Sequence, residues 1–207
     1  MLEPTQTTNQ TDNQTGNQAM QQLKTAAQII KHQEVVPNHW SVLRLEEGDD
    51  VTLIEVPAGS VIVPLAVWQA QRSRLQSRAQ LGVWLPSNAQ AADVADDLAH
   101  FAVIAIDFPK FSDGRGFSIA YNLRRRLHYP LEIRAIGDVL RDQLFYMKRV
   151  GFDAFEVRAD KDIHDALKGL TVFSETYQDS LDQKSPLFRR AERGQASAVA
   201  AATEGAV

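Results

Sequence analysis

The run Asp107-Phe-Pro-Lys-Phe-Ser-Asp-Gly-Arg-Gly-Phe117 places two carboxylates, two cations and two glycines within eleven residues. Asp107 and Asp113 are the candidate catalytic groups, as general acid or base. Lys110 and Arg115 are candidates for holding an anion, Arg115 through a two-pronged contact to a carboxylate, phosphate or sulfur oxyanion. Gly114 and Gly116 allow backbone shapes that other residues resist and open space for a partner. Backbone N–H groups where the next helix begins favour a negative charge. The alternative is a turn in which Asp113 caps that helix and Arg115 pairs with a carboxylate. A dinucleotide fingerprint is excluded, because Ile119 stands where its third glycine is required.

A second cluster, Asp138-Val-Leu-Arg-Asp-Gln143, adds Arg141 and Asp142 as candidate anion- or partner-binding residues, with Asp138 read as a helix N-cap. Arg141 could also pair with Asp107 or Asp113. Arg134 lies inside a strand, where its side chain is expected to face a packed layer. Arg124-Arg-Arg126 reads as a solvated helix face, or as a docking patch for an acidic protein.

The elements that must position these groups follow from hydrophobic period. Ser41-Val-Leu-Arg-Leu45 and Val51-Thr-Leu-Ile-Glu-Val56, separated by Glu46-Glu-Gly-Asp-Asp50, predict an N-terminal β-hairpin. Val61-Ile-Val63 is a third short strand, followed by a helix over Leu65–Arg78. Four β-α units then follow. Their strands are Leu81–Leu85, Ala102–Phe108, Leu131–Ile136 and Ala154–Val157. Their helices run from Ser87 or Asn88 to Leu98, Gly116–Leu127, Asp138–Val150 and about Asp162–Leu170. The fold class is therefore α/β with a mainly parallel sheet, either half-barrel-like or a small open sheet. In such sheets ligands sit beyond the carboxyl ends of the strands, which is where the clusters fall.

Residues 1–22 are rich in Gln, Asn and Thr, and residues 185–207 end in an Ala-rich stretch. Both are expected to be disordered, leaving a single α/β domain over 35–180. The net charge of -4 gives no general attraction to nucleic acid. No apolar run approaches the roughly 20 residues of a membrane span, and the N-terminus does not read as a signal peptide, so a cytoplasmic location is expected. The chain has no cysteine, which excludes disulfides, thiol nucleophiles and cysteine-ligated iron–sulfur clusters. The five histidines are scattered without i,i+4 spacing, so no metal site is expected.

Three longer runs carry a resemblance. They are Ile104–Ser118, Arg134–Gln143 and Gly151-Phe-Asp-Ala-Phe-Glu156, supported by Val63–Trp68, Leu81-Gly-Val83 and Tyr177-Gln178. Over Val35–Gln178 the chain resembles the bacterial domain-of-unknown-function family 934. Members of that family are described as oxidoreductases involved in sulfite reduction. The resemblance implies an accessory protein of assimilatory sulfite reduction, assisting or delivering electrons to the sulfite reductase haemoprotein. The alternatives are an enzyme acting on a small anionic substrate and a sensor module that binds a sulfur oxyanion. No catalytic residues carry over from the family. Its usual cysteine before Gly-Phe-Asp-Ala-Phe is Val150 here. Without a thiol or a dinucleotide fingerprint, the chain is not a self-sufficient oxidoreductase. If it is redox-active, a flavin held by the strand-end loops is the expected means.

Overall fold

The computed structural model describes residues 23–24 and 26–190. The tail expected over 1–22, and the part of the other tail beyond residue 190, lie outside them. The described part of the second tail contains a short helix at Leu187–Arg190.

Among the described residues, nine strands form one sheet. In chain order they are β1 (Leu23–Lys24), β2 (Gln28–Lys31), β3 (Glu34–Pro37), β4 (Ser41–Leu43), β5 (Val61–Pro64), β6 (Leu81–Leu85), β7 (Val103–Phe108), β8 (Glu132–Gly137) and β9 (Ala154–Phe155). Their spatial order is β1-β4-β5-β6-β7-β8-β9-β2-β3. The run from β4 to β9 is parallel. Antiparallel strands close both sides: β1 on β4, and the β2–β3 pair on β9. The sheet is thus mixed, rather than mainly parallel as the β-α repeats imply.

The hairpin also sits elsewhere than expected. It is made by β2 and β3, through a two-residue turn in which His32 and Gln33 have φ of 50° and 68°. Positive φ at both central positions is the primed geometry that matches strand twist. Val51–Val56 forms no strand, because side chains from the following helix and the turn after it take up its backbone. Gln71 Nε2 donates to the carbonyls of Val51 and Ile54, and Arg78 donates to those of Val56 and Pro57.

The helices are α1 (Leu65–Leu75), α2 (Arg115–Arg125), α3 (Arg141–Arg149), α4 (Ile163–Leu167) and α5 (Leu187–Arg190), with 3₁₀ segments at Ala91–His100 and Lys168–Thr171. The unit after β6 is therefore a 3₁₀ segment rather than an α-helix. It is anchored by Asp97, which accepts the Trp68 indole N–H at 2.8 Å and pairs with Arg72. No helix among the described residues is long and apolar enough to cross a membrane.

Period-two alternation divides the strand residues between two faces. Val63, Val83, Ile104, Ile106, Ile133 and Phe155 join Trp68, Leu123, Leu144 and Met147 in the large core under the helices. The opposite face carries a much smaller cluster: Val42, Ile62, Val103, Ala105 and Ile136, with Trp40 and Trp84 against it. In a flat sheet β4 and β7 would stand about 14 Å apart, at about 4.8 Å per strand. Yet Arg44, just after β4, bonds Asp107 of β7 at 2.8 Å. The Trp84 indole reaches the Leu43 carbonyl at 2.8 Å, and Arg134 of β8 reaches Asn38 at 3.0 Å. The sheet therefore curls into a half-barrel, with the helices outside and this smaller face inside.

Arg134 faces a layer, as expected, and is only 1% exposed. Its Nε and Nη2 grip Glu132 at 2.7 and 2.6 Å, and Lys31 holds the other carboxylate oxygen at 2.7 Å. Removing one member of a buried pair strands the other charge. Arg134→Ala is therefore expected to cost about 3–5 kcal/mol in urea denaturation. Asp142→Ala, on an exposed helix turn, serves as the control and should denature near the wild-type midpoint.

Candidate functional site

Strand register builds the mouth of the half-barrel. Ala105, Arg134 and Ala154 lie side by side on β7, β8 and β9, and Asp107 pairs with Ile136 one step further toward the carboxyl ends. Glu156 follows β9 on the same face, its N–H donating to the Ala135 carbonyl. Arg44 enters from the end of β4 and lies over the Trp84 ring at 4.9 Å. Of these, Arg44 and Glu156 line a cavity of about 670 Å³, with Val42, Gly137, Arg158 and Lys161 among its other walls. Gly137 has φ of 94°, and a Cβ there would come within 2.5 Å of the Phe108 carbonyl oxygen. Only glycine lets β8 turn away at this point.

The cations at the rim are already engaged. Arg44 pairs with Asp107, Arg158 with Asp138 and Asp160, and Lys161 with Asp160. Arg158 holds Asp160 down at about 2, with help from Lys161. Glu156 is the exception. Its Oε2 is buried and has no hydrogen-bond partner among the described residues. Burial pushes its carboxyl above the usual range; Arg134 and Arg44 oppose that shift, and Asp107 adds to it. A buried polar atom without a partner is rare in folded proteins and calls for a reason.

The sequence candidates do not gather into one site. Asp107 belongs to this mouth. Asp113 and Arg115 form a separate group, in which Arg115 Nε and Nη2 grip Asp113 at 3.0 and 2.7 Å and Nη2 also donates to Ser87 Oγ at 2.9 Å. Arg115, then Ser87, holds the Asp113 carboxyl well below its usual range, which fits it poorly for proton transfer. The pairing part of the turn alternative is present, but the helix N-cap is Gly114 rather than Asp113. Asp113 also accepts the Arg115 N–H, next to Gly114 at the N-cap. Gly116 serves packing rather than a ligand, since a Cβ there would lie 2.7 Å from the Phe108 ring.

Arg141 pairs with Asp165 at 3.0 Å rather than with Asp107 or Asp113, and Lys110 and Asp142 are exposed. Asp138 does not cap α3, whose N-cap is Leu140. Its carboxylate instead accepts the Phe111 N–H and pairs with Arg158, tying two strand-end loops together. Arg124 is no docking residue either. It donates to the carbonyls of Tyr129, Leu131 and Gly151 and pairs with Asp153. Val150 is buried at the end of α3.

Arg44 and Glu156 were not among the sequence candidates, because they lie over one hundred residues apart and only the curl of the sheet brings them to one cavity. The signal was alternation: a charged residue one strand period from Val42, and a carboxyl one period from Ala154.

The fold and cavity define an α/β half-barrel with a ligand-sized hollow at the carboxyl ends of its strands. The family model described as "Bacterial protein of unknown function (DUF934)" matches residues 82–188, and the chain belongs to that family. The match takes in Asp107, Glu132, Arg134, Glu156 and Arg158, while Lys31 and Arg44 precede it. Searches of curated proteins and of solved structures gave no significant match.

A carboxyl raised in the folded state keeps its proton after the unfolded chain has lost its own. Stability should therefore fall as pH rises from the ordinary glutamate value of 4.5 through the raised folded value. Glu156→Gln is expected to remove that decline and to melt above wild type at neutral pH. Thermal melts of both proteins across this range check it, and parallel profiles would contradict it. By contrast, Arg115→Ala is expected to leave the melting temperature close to wild type, because its partnership is solvent-exposed.

Proposed function

We propose that this protein is a cytoplasmic accessory of assimilatory sulfite reduction. It holds a small sulfur oxyanion in the strand-end cavity and assists the sulfite reductase haemoprotein. The observation that carries this reading is the meeting of Arg44, Arg158 and Lys161 with the half-buried Glu156 around one cavity. Guanidinium and ammonium groups held in place by carboxylates line the rim, and their unused N–H donors suit a compact anion. The link to sulfite reduction rests on the resemblance of the Ile104–Ser118, Arg134–Gln143 and Gly151–Glu156 runs to the family. Supply of substrate fits the chain better than supply of electrons, since it offers neither thiols nor a dinucleotide fingerprint.

A second reading, an enzyme acting on a small anion, is favoured by Glu156 alone. Burial raises its carboxyl above the usual range, which suits it to acid–base work better than the ion-paired carboxylates around it. Asp113 and Asp107 lose that role, one to Arg115 and the other to Arg44.

Deleting the gene should impair growth on sulfate as sole sulfur source, and the wild-type gene should restore it. The double variant Arg44→Gln/Lys161→Ala should not, even when it is folded and abundant. The haemoprotein should co-purify with the tagged chain from sulfate-grown cells. Normal growth of the deletion strain, with no recovered reductase, would remove the accessory reading. A flavin spectrum in the purified protein would restore electron delivery.

A further inference from the structure

We propose that Glu156 donates a hydrogen bond from its half-buried carboxyl to the anion held in this cavity, so that the site takes up a small oxyanion together with one proton. This inference rests on the anion reading of the cavity and adds the group that recognises the ligand.

The argument begins from the partnerless oxygen. An ionised carboxylate at Glu156 would be buried without a donor to its Oε2 and would repel an incoming anion. A neutral carboxyl has the opposite requirement, because its O–H needs an acceptor. Every other carboxylate at the mouth is engaged: Asp107 by Arg44, Asp138 by Arg158, and Asp160 by Arg158 and Lys161. Oε2 is sealed from solvent, so the donor is the carboxyl's other oxygen, on a side chain that lines the cavity, and an oxygen of a bound oxyanion supplies the acceptor that the protein does not.

Charge balance points the same way. The groups acting on Glu156 are Arg134 from β8, Arg44 from the end of β4 and Asp107 from β7. Arg158 and Lys161 line the cavity from the segment after β9, and the β2 side contributes only Ala26, Ala27 and Gln28. Behind them, Glu132 and Lys31 complete the interior column. Lys31, Arg44 and Arg134 therefore face Glu132, Asp107 and Glu156. With Glu156 ionised the interior is balanced; with Glu156 neutral it carries one unmatched positive charge, which suits one anion. The ligand class is a compact oxyanion such as sulfite, sulfate, phosphate or a short carboxylate. Burial of Glu156 already favours the protonated form, and a bound anion favours it further.

Titration calorimetry of the full chain with sulfate tests this, in two buffers of different protonation enthalpy. At mildly alkaline pH, binding should take up close to one proton per anion. Affinity should fall by about tenfold per pH unit above the carboxyl's pKa. Glu156→Gln keeps a donor of the same shape, so it should bind sulfate with no proton uptake and little pH dependence. Glu156→Ala, which loses the donor, should bind at least about tenfold more weakly, near the value of one hydrogen bond to a charged group. Unchanged proton uptake in Glu156→Gln would overturn the proposal, as would failure of sulfate, sulfite and acetate all to bind. Proton-coupled binding of acetate without either sulfur oxyanion would keep this inference and remove sulfite reduction. Co-purification with the reductase without proton-coupled binding would do the reverse.

Discussion

A guanidinium buried inside a curled sheet is the constraint on which the interior depends. Arg134 is 1% exposed, and burial at that level is tolerable only with full pairing. Its partners come from three parts of the chain: Glu132 on its own strand, Lys31 bound to that glutamate from β2, and Asn38 after β3. The N-terminal segment can complete this column only if the sheet bends far enough to bring β2 and the β3–β4 connection over β8. The ionic column therefore helps set the curvature, and the curvature forms the cavity above it.

The two faces of the sheet divide their work. The helix face is apolar and large, with Trp68, Phe108 and Phe155 among its fully buried side chains. Its contribution is burial of nonpolar area, which stabilises without directing chemistry. The inner face has a short apolar cluster and then turns ionic toward the strand ends. Gly82 shows how tight that inner cluster is, since a Cβ there would meet Ile62 at 2.9 Å and the Val103 carbonyl at 3.0 Å. Small residues low in the half-barrel and charged ones at its mouth make a site that is firm below and polar above.

The sequence made the repeating part of this fold legible. β5 to β9 fall where period and turn residues place them, because apolar strand runs such as Val103–Phe108 face packing on both sides. The hairpin was missed because Gln28–Lys31 and Glu34–Pro37 are four residues each and joined by His32-Gln33, which lacks the Asn-Gly or Asp-Gly signal. Val51–Val56 has strand composition but satisfies its backbone through Gln71 and Arg78, a tertiary solution invisible to local pattern. For the site, sequence located the strand ends and Asp107. It could not say that Asp113 and Arg115 turn to each other and Ser87, nor that residues 44 and 156 meet. Those outcomes depend on curvature, which arises from packing across the whole sheet.

An open half-barrel, unlike a closed one, has margins. Among the described residues one of them is β3, an unpromising template for an additional strand. It is four residues long, with Glu34 at one end and Pro37, which lacks an N–H, at the other. A short margin with a charge and a proline discourages edge-to-edge addition of a second chain. On this side the curl that creates a binding hollow comes without the polymerisation hazard that an incomplete barrel would otherwise carry.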